Sequence, residues 1–327
     1  MVINLNIEKD AKVYRILDIY SKLLHGDILN KKEMANLYNV NEKTIQRDIN
    51  DIRNYFYENI ETMGRKEVAY KRDKRGYCIE NRDINVITRE DILVIMKILL
   101  ESRAFCKSEL NHLVMAILGL VNNEQRKSIK DIIGNELLNY VPLNHNQLLL
   151  SKIWELSEFI RYCEKIEITY IKTNNSQVKR QVKPVAIIFS EYYFYLIAYF
   201  NDFKLPTIFR VDRIKDYHKV NEKFYISNSN RFEDGEFRKR IQFMYSGKLQ
   251  KIKFEFWGNS LEAVLDRIPT AKVVDKYDDR YLVEAEVYGD GIIKWILSQG
   301  ANIKVVAPIE IKEKLINESK NIVKIYE

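Results

Sequence analysis

Apolar residues recur at three-and-four spacing from about Ala11 to His25, where Val13, Ile16, Leu17, Tyr20, Leu23 and Leu24 share one helical face. Gly26-Asp27 ends that pattern, and a second short helix is expected over Lys31–Tyr38 with Met34, Ala35 and Leu37 inward. At Asn39-Val40-Asn41 the chain must turn: Asn39 tolerates the left-handed backbone, and Asn41 is a good N-cap for a third helix. That helix is expected from Glu42 to about Tyr57, on a single stripe of Ile45, Ile49 and Ile52. The period then drops to two. Short strands are expected between Val68 and Ile79, around the basic tip Lys71-Arg72-Asp73-Lys74-Arg75-Gly76.

Helical spacing returns from Asp83 to Lys165. Thr88 caps a stripe of Ile92, Ile95, Met96, Leu99 and Leu100; Leu110–Val121, Ile129–Leu138 and His145–Arg161 follow. Strands are then expected at Ile166–Tyr170 and, after the turn Thr173–Ser176, from Val178 to Pro184. In Glu191–Phe200 the alternation is clean, with Tyr193, Tyr195, Ile197 and Tyr199 on one face and Phe194, Leu196, Ala198 and Phe200 on the other. A polar turn, Asn201–Lys204, leads to the strand Thr207–Ile214, which carries Arg210 and Arg213 about Asp212. Past a charged linker, Ser227–Arg240, the order β-α-β-β-α-β suggests a ferredoxin-like α+β unit, ending in a helix from Pro308 to Tyr326.

The chain has 327 residues, 46% hydrophobic and 30% charged, enough for several cores in a chain that stays in solution. The longest apolar runs are too short to span a bilayer, and Met1–Leu5 lacks the apolar core of a signal peptide. Three scattered cysteines, Cys78, Cys106 and Cys163, read as reduced thiols, so a cytoplasmic location is expected. The formal net charge of +7 favours a polyanionic partner.

Basic and amide side chains stand together where the pattern is most specific. Opposite the Ile45–Ile49–Ile52 stripe, Lys43, Arg47, Asn50 and Asn54 point outward and Gln46 flanks them. A tight turn followed by a helix exposing such donors is what reading a major groove requires. An ordinary solvated helix face is the alternative. The words Glu33–Tyr38 and Val40–Ile49 are similar to the helix-turn-helix of deoxyribose-operon-repressor-type regulators, in which Ser commonly stands at the place of Asn41 and Arg at that of Lys43. The resemblance implies DNA contacts from Asn41, Lys43, Thr44, Gln46, Arg47 and Asn50, and phosphate contacts from a wing carrying Lys71, Arg72, Lys74 and Arg75.

A second resemblance covers Glu164 to Phe224. The order Arg180-x-Val182-x-Pro184, then Phe194-Tyr195-Leu196-Ile197-Ala198-Tyr199, then Phe209-Arg210-Val211-Asp212-Arg213-Ile214 resembles the WYL domain. Phe194 takes the place of the Trp for which the domain is named. The resemblance implies a small bent β-barrel of Sm-like form that senses ligands beside DNA-binding domains, with nucleotides or nucleic-acid fragments as ligands. Tyr170, Arg180, Tyr193, Tyr195, Arg210 and Arg213 are the expected ligand residues, since Arg forks grip phosphate and Tyr offers a stacking face. An Arg210–Asp212 ion pair on an exposed edge is the structural alternative. Trp295–Gly300 and Val305–Pro308 resemble the extension that follows WYL domains.

No phosphate-cradling glycine loop, nucleophile elbow or metal-ligand spacing is present; Cys106 and His112 come nearest, and neither an enzyme nor a cofactor is expected. The expected organisation is multidomain α+β: a winged helix-turn-helix over 1–82, a helical bridge over 83–163, the WYL barrel over 164–226, a linker over 227–248 and the α+β extension over 249–327. The function it implies is a homodimeric, ligand-responsive transcriptional regulator, a repressor by default, on an inverted-repeat operator in double-stranded DNA. Its effector would be a nucleotide or oligonucleotide, with no membrane partner. Two alternatives remain open: an accessory factor whose barrel holds single strands for a partner enzyme, and a nucleotide-processing enzyme.

Overall fold

The computed structural model describes residues 7–60, 66–81, 87–200, 205–226 and 232–327. The chain divides into two compact units, one of Met1–Arg103 with Lys107–Val141, the other of Ala104–Cys106 with Pro142–Glu327. The expected turn Asn201–Lys204, the bridge start at Asp83 and the linker start at Ser227 lie outside the described residues.

In the first unit, α1 (Ile7–Leu24), α2 (Lys31–Leu37) and α3 (Glu42–Glu58) precede a hairpin of β1 (Lys66–Lys71) and β2 (Gly76–Asn81). Local chemistry sets the boundaries. The Asn30 side chain accepts from the Lys32 and Glu33 amides at 2.9 and 3.3 Å, and Asn39 takes the left-handed turn at φ +52°. Ile45, Ile49, Ile52 and Phe56 bury the inner face of α3 against Ile19, Leu23, Ala35 and Val68. Each such side chain contributes roughly 1.5–3 kcal/mol.

One member of that inner face is charged. Asp48, 1% exposed, accepts from Arg15 of α1 at 2.6 Å (Nε) and 3.3 Å (Nη2). Next, Leu29 and Tyr77 exchange backbone hydrogen bonds of 2.8 Å each way, fastening the hairpin to the α1–α2 connection. Gly76 belongs there, because a Cβ would lie 2.5 Å from Ile28 Cγ2.

Helices α4 (Arg89–Ser102), α5 (Lys107–Leu118) and α6 (Asn123–Leu138) follow. Thr88 and Asp91 form a reciprocal capping box, and Asn122 caps α6 through the Gln125 amide at 2.9 Å. That cap starts α6 earlier than the expected Ile129.

The second unit opens with α7 (Leu150–Arg161), later than the expected His145, because the His145 ring accepts from the Gln147 amide at 3.0 Å and turns the chain. Then come β3 (Glu164–Ile171), β4 (Gln177–Ser190), β5 (Tyr193–Tyr199), β6 (Thr207–Arg210), a 3-10 turn at Val211–Arg213, and β7 (Ile214–Lys223). They form one antiparallel sheet in the order β6-β5-β4-β3-β7. The closed barrel expected from the sequence is not formed among the described residues. The short β6 pairs with β5 and the 3-10 turn separates it from β7, so no ladder joins the sheet's two ends. Strand β4 runs beyond the expected Pro184. It pairs with β3 up to Val182 and with β5 from Lys183, and the register shifts between Pro184 and Ala186, where a residue without an N–H is tolerated.

Within the segment expected as a linker lies α8 (Asp234–Arg240), whose Phe237 packs with Ala186, Ile188, Ile197, Ile241 and Met244. The chain ends as β8 (Leu249–Phe256), α9 (Leu261–Arg267), β9 (Lys272–Tyr277), β10 (Arg280–Tyr288), α10 (Gly291–Ser298), β11 (Ile303–Ala307) and α11 (Ile309–Tyr326). Its antiparallel sheet has the order β11-β8-β10-β9. Phe254, Val283, Val287, Ile292 and Trp295 fill the core, while β9 is an exposed edge.

Candidate functional site

Two clusters hold the residues singled out in the sequence. In the first, α3 presents Lys43, Arg47 and Asn50 to solvent. Asn41 and Thr44 are committed to the cap: the Thr44 amide donates to Asn41 Oδ1 at 2.8 Å and the Thr44 hydroxyl at 3.0 Å. Gln46 is tied to the hairpin, its Oε1 accepting from the Tyr77 hydroxyl at 2.6 Å, and its Nε2 donates to Asn50 Oδ1 at 3.3 Å. Arg53, which carries no signal in the sequence pattern, completes this network. It donates to Asn50 Oδ1 at 3.1 Å and to the Val68 carbonyl at 2.8 Å, with its guanidinium 5.6 Å from the Tyr77 ring. The outer face of α3 is therefore held in a fixed orientation relative to the hairpin.

At the hairpin tip Arg72, Lys74 and Arg75 are exposed. Arg75 turns at φ +50° and its carbonyl accepts from Asn30 Nδ2 at 3.1 Å. Lys71 is engaged differently, in an ion pair with Glu80 whose hydrogen bond raises the lysine pKa.

The second cluster lies on the five-stranded sheet. Arg210 pairs with Tyr195 in the β5–β6 ladder, and its guanidinium stacks 3.4 Å from the Tyr193 ring centroid, the diagonal neighbour. Its fork also grips Asp212, at 3.1 Å (Nε to Oδ1) and 2.7 Å (Nη2 to Oδ2). The Asp212 side chain is only 5% exposed, so this pair is more enclosed than the exposed edge weighed from sequence. Burial works against the Arg210 charge, but the hydrogen bonds and charge of Asp212 outweigh it and raise the pKa. Burial raises the pKa of the Tyr195 phenol.

Tyr170 joins this cluster, its hydroxyl accepting from the Arg210 amide at 3.4 Å and its ring packing edge-on to Phe209. Arg180 faces Ile168, two pairs along from Tyr170–Val178, and donates to the Lys179 carbonyl at 3.0 Å. It is exposed, and its side-chain hydrogen bond goes to that neighbouring carbonyl and not to the Arg210 cluster. Arg213 is half-buried in the 3-10 turn. Lys152 of α7 was not foreseen. Its Nζ donates to the Ile214 carbonyl at 2.7 Å, and burial lowers its pKa against the attraction of Asp212. A lysine on an amphipathic helix gives no sequence signal of such a role.

Phe194 points to the other face and packs on Phe189 and Phe105, with centroids 5.0 and 5.7 Å away, the packing role that the Trp-to-Phe exchange preserves. The WYL-domain family model matches residues 153–219, from within α7 into β7. The chain contains a WYL domain.

Beyond the WYL domain the comparisons are distant. The chain is similar to the proteasome accessory factor B/C (PafBC) of Arthrobacter aurescens at 13% identity and a TM-score of 0.28, over 94% of this chain and 46% of that one. It thus spans less than half of that protein's length. It is also similar to a CRISPR Cas-related protein at 12% identity and a TM-score of 0.36, over 75% of each chain. No curated protein matches the chain. Among the described residues no helix is long and apolar enough to cross a membrane, and no cluster of three or more His, Cys, Asp or Glu is arranged to hold a metal.

Proposed function

We propose that this chain is a sequence-specific DNA-binding transcriptional regulator, a repressor in direction, whose WYL domain responds to a nucleotide or oligonucleotide. In this reading α1–α3 and the hairpin are a winged helix-turn-helix: α3 enters the major groove and the hairpin follows the sugar–phosphate backbone. The observation that carries it is the joint placement of exposed Lys43 and Arg47 on α3 with exposed Arg72, Lys74 and Arg75 on a hairpin that the Leu29–Tyr77 bridge and Gln46 fix to the same helices. A helix face that was merely solvated would not need that bracing. A homodimer presents two such heads to an inverted repeat, and a ligand at the WYL sheet changes their spacing and hence the affinity.

The wing has a quantitative signature. Lys74→Ala and Arg75→Ala should weaken binding to all duplexes about equally, and each lost phosphate contact should flatten the log–log salt dependence by about 0.9. Fluorescence anisotropy across a salt series measures this. A variant that shifts sequence preference and leaves the slope intact contradicts the assignment.

For the sensor, a phosphate reaching Arg210 must compete with Asp212 for the fork. Arg210→Ala combined with Arg213→Ala should leave DNA affinity within twofold and abolish the response to an oligonucleotide effector. Calorimetric titration of short oligonucleotides into the wild type and the double variant is the test. Equal heats and affinities in the two would rule this cluster out.

A further inference from the structure

A separate cleft of about 330 Å³ opens in the second unit, between the β4–β5 turn, the segment after α8 and the end of α9. Neither the α3 face nor the Arg210 cluster contributes to it. Gln242 lines it and is only 3% exposed. A primary amide in the wall of a cleft offers one acceptor and two donors to whatever enters it.

The backbone around it is equally particular. Glu191, Phe243 and Met244 all adopt the left-handed region, at φ +56°, +50° and +53°, and all three line this cleft. Phe and Met are rare there because neither has the short polar side chain that eases the conformation for Asn or Asp. The 242–245 turn is held from two sides. The Tyr245 amide donates to the Gln242 carbonyl at 3.2 Å, and α10 begins at Gly291, where a Cβ would lie 2.0 Å from that same carbonyl oxygen. Strain that its surroundings enforce in this way gathers at binding sites.

Two arginines are already aimed. Arg267 donates through Nη2 to Glu191 Oε1 at 2.9 Å and lies 4.9 Å from the Phe243 ring centroid. Arg238 donates through Nη2 to the Phe189 carbonyl at 3.1 Å. Each keeps further N–H donors, and both line the cleft. Two guanidinium groups suit an anion, the Phe243–Met244 wall suits a flat apolar body, and an amide offering one acceptor and two donors suits a ring edge that carries both. The volume is at the small end for ligand sites, enough for one nucleotide and too little for a chain.

We propose that this cleft binds a single nucleoside monophosphate, with its phosphate on Arg238 and Arg267 and its base edge on Gln242. Any regulatory effect rests on the reading of the chain as a nucleotide-responsive regulator; the binding itself does not.

The test is calorimetric titration of the full-length protein with the four ribonucleoside 5′-monophosphates, with inorganic phosphate as the control. At least one nucleotide should bind once per chain and at least tenfold tighter than phosphate. Gln242→Leu, which keeps the volume, and Arg267→Met should each weaken it tenfold or more, whereas Lys304→Ala on β11, outside the cleft, should leave it unchanged. The second variant serves if the first fails to fold, as judged by circular dichroism. Absence of nucleotide binding to the wild type overturns the proposal without touching the DNA-binding reading, as does nucleotide binding indifferent to both cleft variants. Heats abolished by Arg210→Ala and kept by Gln242→Leu would assign the nucleotide to the β5–β6 cluster instead.

Discussion

Asp48→Ala should destabilise the α1–α3 core by about 3–5 kcal/mol, the largest single effect expected in this unit. The carboxylate is 1% exposed and answers one residue, Arg15, itself 8% exposed and 33 positions earlier in the chain. Removing it leaves a guanidinium buried between two helices with no carboxylate to meet it, and removes the link that sets how α1 lies on α3. Protection of the Ile45, Ile49 and Ile52 amides against hydrogen exchange in the full-length chain reads the local opening directly, and it should fall roughly a hundredfold or more. Arg15→Met with Asp48→Leu should recover most of that protection, because a well-packed apolar pair escapes the desolvation that the ion pair bears. Unchanged protection in Asp48→Ala would mean that the pair contributes nothing to the core.

Lys43→Ala together with Arg47→Ala should remove sequence-specific DNA binding from a folded protein. Both side chains are exposed on α3, and neither contributes to the Ile45–Ile49–Ile52 core, so stability should hardly change. A base-contacting side chain is worth roughly 1–3 kcal/mol, so the pair should lower affinity for the cognate site between about thirtyfold and roughly ten-thousandfold, and affinity for random duplex much less. Gln46→Ala should behave differently, because Gln46 also receives the Tyr77 hydroxyl: its loss should loosen the hairpin as well as the contact. Competition binding against the selected site, with circular dichroism as a fold check, separates the two outcomes. Full specific affinity in the folded double variant would remove α3 from the interface.

What could be read from the sequence was what local chemistry determines. The left-handed turn at Asn39, the Asn41 cap and the Thr88 cap each depend on residues within four positions of one another, and all are present. Arg210 with Asp212 was legible as an alternative for the same reason, two residues apart on one strand end. Asp48 was not, although it interrupts the apolar stripe of α3, because its partner lies on another helix. The open sheet was equally hidden. Whether β6 meets β7 depends on the bend of β4 at Pro184 and on the 3-10 turn at Val211–Arg213, neither of which leaves a mark on hydrophobic alternation. The charge-rich segment around α8 looked solvated because one apolar side chain, Phe237, supplies its buried contact. The cleft lined by Gln242 was invisible in sequence, since its members lie on segments far apart in the chain.

The claim that this chain reads a DNA sequence is tested most directly by selecting bound fragments of native genomic DNA with the purified full-length protein and footprinting the enriched duplex. The account predicts one short protected inverted repeat whose half-sites lie about one helical turn apart, or a multiple of it, and which outcompetes random duplex by at least a hundredfold at the same salt concentration. Enrichment of no common site, with equal affinity for random duplex, would contradict it.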